Sequence, residues 1–237
     1  LLDGTDIRNH MGGVPAGAAG TVAGVETVRE FKVITGAYSA EYGRFSGGVI
    51  TAVTKSGTNE VHGSIYEFHR NSALDARNFF DRVPTNPTQR SDPPNFVRNQ
   101  FGFSLGGPIV KDQTFLFAGY EGYRQRLTTT RTFFVPTVLA RQGILPSGNV
   151  TVPDRMQPVL ALFPLPNGRD LGNGIAEYII GTPAPRNQDT VTIRIDHQFS
   201  DSNSFFARYT FDESDRQNVS TLITDQELEY RYQYLTL

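Results

Sequence analysis

The stretch GFSLG, Gly102 to Gly106, has the G-x-S-x-G spacing of a nucleophile elbow. That elbow presents its serine on a sharp turn between a strand and a helix. Here Ser104 sits inside an alternating run, and a Gly-Pro pair and a second aromatic run follow it. The expectation is therefore no serine nucleophile. His62 and His69 are seven residues apart, which puts them on opposite faces of a strand. No H-E-x-x-H or other paired-ligand spacing is present. Asp75, Asp81 and Asp92 lack the EF-hand spacing and read as a solvated surface, with loop-bound Ca²⁺ as the alternative. Sequons stand at Asn149 and Asn218, and there is no Gly-rich phosphate loop. We expect no catalytic residue, no cofactor and no metal site, hence no enzyme. The Arg/aromatic stretches DARNFFDR and YRQRLTTTRTFF could contact a ligand, as interaction surfaces favour these residue types, or could pack on themselves. The two readings stand level.

The composition points away from chemistry and toward architecture. The 237 residues include 17 Phe and 10 Tyr but no Trp, no Cys and only 2 Met, with 23 Gly and 14 Pro. Aromatic strands joined by Gly/Pro turns are the all-β pattern. A net charge of −2, without a Lys/Arg run, argues against a nucleic-acid partner. Zero Cys excludes disulfides and thiolate metal sites. No apolar run approaches the ~20 residues of a membrane-spanning helix, and no secretory signal is visible. Leu1 stands inside LLDGTDI and Leu237 inside YRYQYLTL, so both ends read as cut from a longer protein.

Residues 1–24 are Gly/Ala-rich and read as a flexible connector. Val25 to Ile34 has strand character with a possible short helix at its start. Ser39 can cap a helical turn that Gly43 ends, Gly47 and Gly48 reverse the chain, and β-branched Val49–Lys55 reads as a buried strand. Six longer strands follow: EVHGSIYEFHR, NQFGFSLGG, QTFLFAGYEGY, DTVTIRIDHQF, SFFARYTFD and EYRYQYL. The second puts Phe101, Phe103 and Leu105 on one face and Gln100 and Ser104 on the other. The fourth and fifth put Arg194 with Asp196, and Arg208 with Asp212, on one face each; the sixth aligns Tyr230, Tyr232 and Tyr234.

The connections alternate long, short, long, short, long: NSALDARNFFDRVPTNPTQRSDPPNF, then GPIVKD, then about sixty residues (Arg124–Gln188) with helix candidates at Thr137–Gln142 and Pro153–Leu162, then SDSN, then ESDRQNVSTLITDQ. Antiparallel pairing puts every long connection on one side. Structureless loops of this length are uncommon in compact domains. Outer-membrane β-barrels have this asymmetry, with short periplasmic turns and long extracellular loops. The expected fold is thus mainly β, part of an antiparallel transmembrane barrel. Phe101, Phe103 and Leu105 would meet lipid, and the charged faces a wet lumen, because lipid cannot satisfy an open backbone edge. The alternative is a soluble, secreted or surface β-rich binding or adhesion module, whose strands alternate in the same way.

Val25 to Asn59 resembles the C-terminal part of the plug domain of TonB-dependent outer-membrane transporters. The residues carrying the likeness are Ser39, Ala40, Tyr42, Gly43, Gly47, Gly48, Val49, Ile50, Val53, Thr54 and Lys55. HGSIYEFHRN and RNQFGFSLGGPIVKDQTFLFAGYEG resemble the Oar-like subgroup, which typically carries a carboxypeptidase-regulatory-like domain before the plug. The resemblance implies a plug end at residues 1–57 and the first barrel strands at 58–237, in the outer membrane of a Gram-negative bacterium. It implies energised uptake of an unknown extracellular ligand, with contact to outer-membrane lipid. Coupling to the TonB energising complex would run through an N-terminal region absent from this sequence. Family barrels close with roughly 22 strands, of which about six are read here. On this reading Gly48→Val should impair plug packing.

Overall fold

The computed structural model describes residues 1–8, 17–21, 23–35, 48–76, 95–219 and 225–237. Near the N-terminus, β1 (Val28–Ile34) and β2 (Val49–Thr54) pair antiparallel as a small two-stranded sheet, with Ile34 opposite Val49. Its β-branched content supports strand geometry but not burial: Val49 and Thr54 are buried, whereas Ile50 is exposed. The buried strand expected at Val49–Lys55 is corrected on this point, because a two-stranded sheet covers only part of itself. The helical turn expected around Ser39–Gly43, and Gly47, lie outside the described residues.

The wall is one antiparallel sheet. It contains β3 (His62–Asn71), β4 (Phe96–Val110), β5 (Thr114–Pro136), β8 (Ile175–Pro183), β9 (Arg186–Ser200), β10 (Asn203–Val219) and β11 (Asp225–Thr236). Their order is β11-β10-β9-β5-β4-β3, and β8 joins the upper part of β5. The sheet is open: β3 and β11 are its edges among the described residues. Short turns close one end, at 111–113 and 201–202, and the longer connections lie at the other.

The strands outrun the sequence reading. β5 has 23 residues, about 75 Å of extended chain, against the roughly 9–11 residues that cross a hydrocarbon core. Its lower half pairs β9 (Thr114 to Gln125), and its upper half pairs β8 (Thr128 to Pro136). β8 lies in the stretch that reads as loop, because IAEYIIGTP lacks a clean alternation. The expected turn GPIVKD is mostly strand. Pro108 is accommodated beside a register shift between Pro108 and Val110, where a missing N–H does little harm. Of the expected polar exit 213–226, the described residues 213–219 and 225–226 are also strand: β10 and β11 pair up to Val219–Asp225. Polar residues extend these hairpins because both faces meet water there.

Between β5 and β8, both expected helices form as single turns: α1 (Val138–Arg141), and α2 (Gln157–Ala161) after a 3-10 turn at Asp154–Met156. Thr137 caps α1 by accepting from the Ala140 N–H at 3.1 Å. Arg141 ties the two turns together by donating to the carbonyls of Pro136, Leu160, Phe163 and Pro164. A two-residue hairpin, β6 (Ile144–Leu145) with β7 (Gly148–Asn149), completes this connection.

Burial is inverted relative to a water-soluble sheet. On one face Leu105 is 52% and Ile193 42% exposed; on the other Thr192 is 2% and Thr210 1% exposed. The exposed face carries Ile65, Phe103, Leu105, Leu116, Ile195, Phe205, Tyr209 and Leu235. The buried face carries Ser104, Glu121, Gln125, Gln188, Thr190, Asp212, Ser214 and Thr236. A soluble module would bury the first set and hydrate the second.

Candidate functional site

The antiparallel register sorts the inner face into rows. His62, Gly106, Phe117, Arg194, Arg208 and Thr236 are successive partners across the wall. Above them run Ser64–Ser104–Gly119–Thr192–Thr210–Tyr234, and then Tyr66–Gly102–Glu121–Thr190–Asp212–Tyr232. Arg194, Asp196, Arg208 and Asp212 therefore face inward, as expected. Tyr230, Tyr232 and Tyr234 also share the inner face, with centroids 6.2 and 6.4 Å apart and planes within 19°. His62 lies on the inner face and His69 on the outer, and Ser104 bonds Ser64 at 2.9 Å in mid-strand.

The described parts of the N-terminal segment, residues 1–8, 17–21 and 23–24, include several that pack against this wall. That corrects its reading as a flexible connector: sequence patterning registers Gly/Ala content but not the long-range polar partners that order it. Asp3, in a turn closed by Leu2 and Thr5, accepts from the Thr54 N–H at 2.7 Å and the Thr54 hydroxyl at 2.8 Å. The same carboxylate meets Arg208 at 2.5 Å and Arg194 at 3.5 Å. Arg194 also pairs with Asp196 at 2.7 Å, and Arg208 donates to the Thr236 hydroxyl at 2.8 Å. The Asp3 side chain is 4% exposed and that of Arg208 0%. Two carboxylates thus neutralise two guanidinia inside the assembly, the condition for burying charge at all.

Higher on the wall the contacts are polar and reach backbone atoms. Ala18 N–H donates to Ser214 Oγ at 3.0 Å, Ala19 N–H to Gln188 Oε1 at 2.8 Å, and Val25 N–H to Glu121 Oε2 at 2.9 Å. Glu121 also receives the Tyr66 hydroxyl at 2.6 Å. Asp212 receives Gln188 at 2.5 Å and Thr190 at 2.7 Å. Lys55 bonds Glu26 at 2.7 Å, and Ser64 bonds the same Glu26 oxygen at 3.1 Å. The Lys55 ammonium holds the Glu26 carboxyl below the usual glutamate range.

Of the residues singled out in the sequence, Thr54 and Lys55 come into this site, Val49 is buried in the small sheet, and Ile50 faces outward. Val53 pairs with Glu30. Ser39, Ala40, Tyr42, Gly43 and Gly47 lie outside the described residues. Gly48 is exposed, and a Cβ there would stand 3.4 Å from the Ile34 carbonyl oxygen, which is ordinary contact. The steric role expected of it belongs instead to Gly57. A Cβ at Gly57 would meet the carbonyl oxygens of Leu116 at 2.5 Å and Gly107 at 2.8 Å. Backbone cannot yield as a side-chain tip can, so Gly57→Val should displace the crossing into β3. The expected result is about 1–3 kcal/mol lost from this junction, as for other overpacked buried sites. Hydrogen exchange at residues 54–64 checks it, and unchanged protection would refute it. Asp3, Gly57, Arg194 and Arg208 were the residues sequence reading missed as a set, since their meeting needs the sheet register.

The outer face carries a bounded apolar band. Asp189, Glu213 and Arg231 form one row above it, with Arg124 on Asp189 at 2.8 Å and Arg231 on Glu213. Below it Thr114 bonds His197 at 2.9 Å. Asp189 to His197 is about 27 Å of strand, or about 20 Å of depth at a tilt near 40°.

A family profile described as an outer membrane beta barrel domain matches residues 53–234. Among curated proteins, the TonB-dependent transporter Oar of Myxococcus xanthus is 37% identical over 133 residues, 56% of this chain and 12% of that protein. A probable TonB-dependent siderophore receptor, PirA of Acinetobacter baumannii, is 30% identical over 108 residues, 45% of this chain and 11% of that protein. The chain spans only about a tenth of the length of these relatives. No solved structure gives a significant match.

Proposed function

The chain belongs to the outer membrane beta barrel domain family, and from that premise we propose that it forms the plug end and first wall strands of a TonB-dependent uptake receptor. Its location is the outer membrane of a Gram-negative bacterium. Residues 1–57 would be the end of the plug, and residues 58–237 the start of the barrel. An external ligand would bind at the extracellular mouth. The TonB energising complex would then pull on the plug from the periplasm, and a path would open. No bond is made or broken, and no cofactor is required.

The observation that carries this reading is the chemistry of the seam between residues 1–57 and the wall. Apart from the Asp3 cluster at its lower end, it is built from buried polar side chains that bond backbone N–H groups. The bonds to Ser214 and Gln188 contribute only about 0.5–1.5 kcal/mol net each, and that to the Glu121 carboxylate about 1.5–3 kcal/mol, because water replaces them when the groups separate. A segment held in this way is retained at rest yet can slide into a wet lumen. An apolar seam would expose oily surface at every step.

The test uses the whole protein in its own cells, with a single cysteine replacing Ala18, which is buried against the wall at rest. An impermeant maleimide confined to the periplasm reports whether that position becomes exposed. Labelling should rise severalfold in energised cells and fall to the resting level with an uncoupler or without the TonB protein. Labelling indifferent to both would contradict energised movement and leave a static surface-binding wall.

A further inference from the structure

We infer that the extracellular end of the lumen wall is a binding site for a multiply charged anion, held by a row of arginines. This rests on the receptor reading and specifies the ligand class that the same wall would take. The register places Arg70 directly opposite Arg98, Arg98 opposite Gln125, Gln125 opposite Arg186, and Arg186 opposite Arg216. All lie on the inner face, in line with the buried Gln125 and one row above the buried Gln188 and Ser214.

Like charges directly opposite one another in a sheet are destabilising. A folded wall normally relieves them with carboxylates, but only Arg70 is so relieved, by Asp75 at 2.9 Å. Among the described residues, Arg98, Arg186 and Arg216 have no carboxylate partner. Arg98 donates to the neutral Gln125 Oε1 at 2.9 Å, and Arg186 reaches only the Ala18 carbonyl at 3.5 Å. Arg216 Nε is buried without a partner. The nearby Asp189, Glu213 and Asp215 belong to the outer face.

Aromatic rings hold two of these guanidinia, Arg98 and Arg216, instead. Arg98 lies 5.3 Å from the ring centroids of both Phe96 and Tyr123, and Arg216 lies 5.5 Å from that of Tyr230. Ring faces orient a guanidinium without cancelling its charge. The N–H forks are thus preorganised for carboxylate or phosphate oxygens, the geometry that arginine recognises in bidentate fashion. Arg98 to Arg216 spans three strand spacings, about 14 Å. That fits a solute carrying two or more carboxylate or phosphate groups rather than one small ion. Arg186 touches Ala18, and Ser214 and Gln188 bond Ala18 and Ala19. A ligand on this row would therefore contact the wall where the N-terminal segment docks.

The experiment is calorimetric titration of the whole protein in detergent micelles at low salt, with inorganic tripolyphosphate and, separately, citrate. No energy source is present, so the result is independent of whether the plug is ever pulled. We expect saturable binding of at least one probe. Arg98→Gln, Arg186→Gln and Arg216→Gln together should weaken it at least tenfold. Arg231→Gln, on the outer face, should leave it unchanged. If the triple variant fails to fold, Arg216→Gln against Arg216→Lys decides. The lysine should keep most of the affinity and the glutamine should lose severalfold. Absence of binding to the unaltered protein, or equal binding by the glutamine variants, would overturn the proposal.

Discussion

Replacing Asp3 with alanine should release the N-terminal segment from the wall. Among the described residues, Asp3 is the one carboxylate that touches Arg208, whose side chain has no exposed surface. Removing it leaves a guanidinium buried without a counter-charge, a change that costs about 3–5 kcal/mol. It also removes the acceptor for the Thr54 N–H and hydroxyl, so β2 loses its anchor in the same step. Hydrogen exchange of the whole protein reads the effect. Protection of the Ala52 and Thr54 amides should fall by about a hundredfold or more, since 1.4 kcal/mol is tenfold. Protection at the Thr192 and Thr210 amides, bonded within the wall, should hold. Asp3→Ala combined with Arg208→Met should recover a large part of the loss, because the orphaned charge is gone. Unchanged protection in the single variant would mean that the cluster does not fix the segment.

The second large effect is expected on the opposite face. Ile193 lies in the middle row of the outer band, beside Ala118, Tyr209 and, one strand further, Leu235. An arginine there would sit at the hydrocarbon midplane at a cost of about 2–4 kcal/mol. Gln233→Arg, on the same outer face of β11 and one row nearer the charged border, should cost less, because the penalty fades toward the interface. Denaturant titration of the whole protein folding into lipid vesicles separates the two. Equal small effects would mean that Ile193 faces water.

Much of this architecture was legible because alternation survives in single strands. Phe103 and Leu105 against Ser104, and Ile193 and Ile195 against Thr192, declare two solvents. The loop asymmetry says which way round they lie. The charged positions Arg194, Arg208 and Asp212 could be assigned inward because lipid would penalise them. What failed to show was long-range. β8 is a strand because the upper half of β5 offers it an edge, not because its own sequence alternates. Residues 213–219 and 225–226 looked like loop because strands above the membrane lose their apolar face. Asp3 lies in a stretch that reads as connector; nothing local says that its carboxylate meets a β10 arginine 205 positions away. Gly48 drew attention through its Gly-Gly pair, whereas Gly57 is the glycine against which backbone closes. The arginine row is the same kind of feature. Arg98, Arg186 and Arg216 are unremarked singly and align only once the register is known.

The most direct measurement is solvent accessibility along three adjacent strands, using single spin-labelled cysteines in the whole protein folded in lipid vesicles. Positions 103, 105, 193, 195 and 209 should relax with lipid-soluble oxygen and not with a water-soluble nickel chelate. Positions 104, 192 and 210 should show no oxygen preference. That period-two alternation, in phase across the strands as the register requires, is the predicted result. High chelate accessibility at 105, 193 and 209, with oxygen excluded, would place the apolar face in water and contradict the membrane wall.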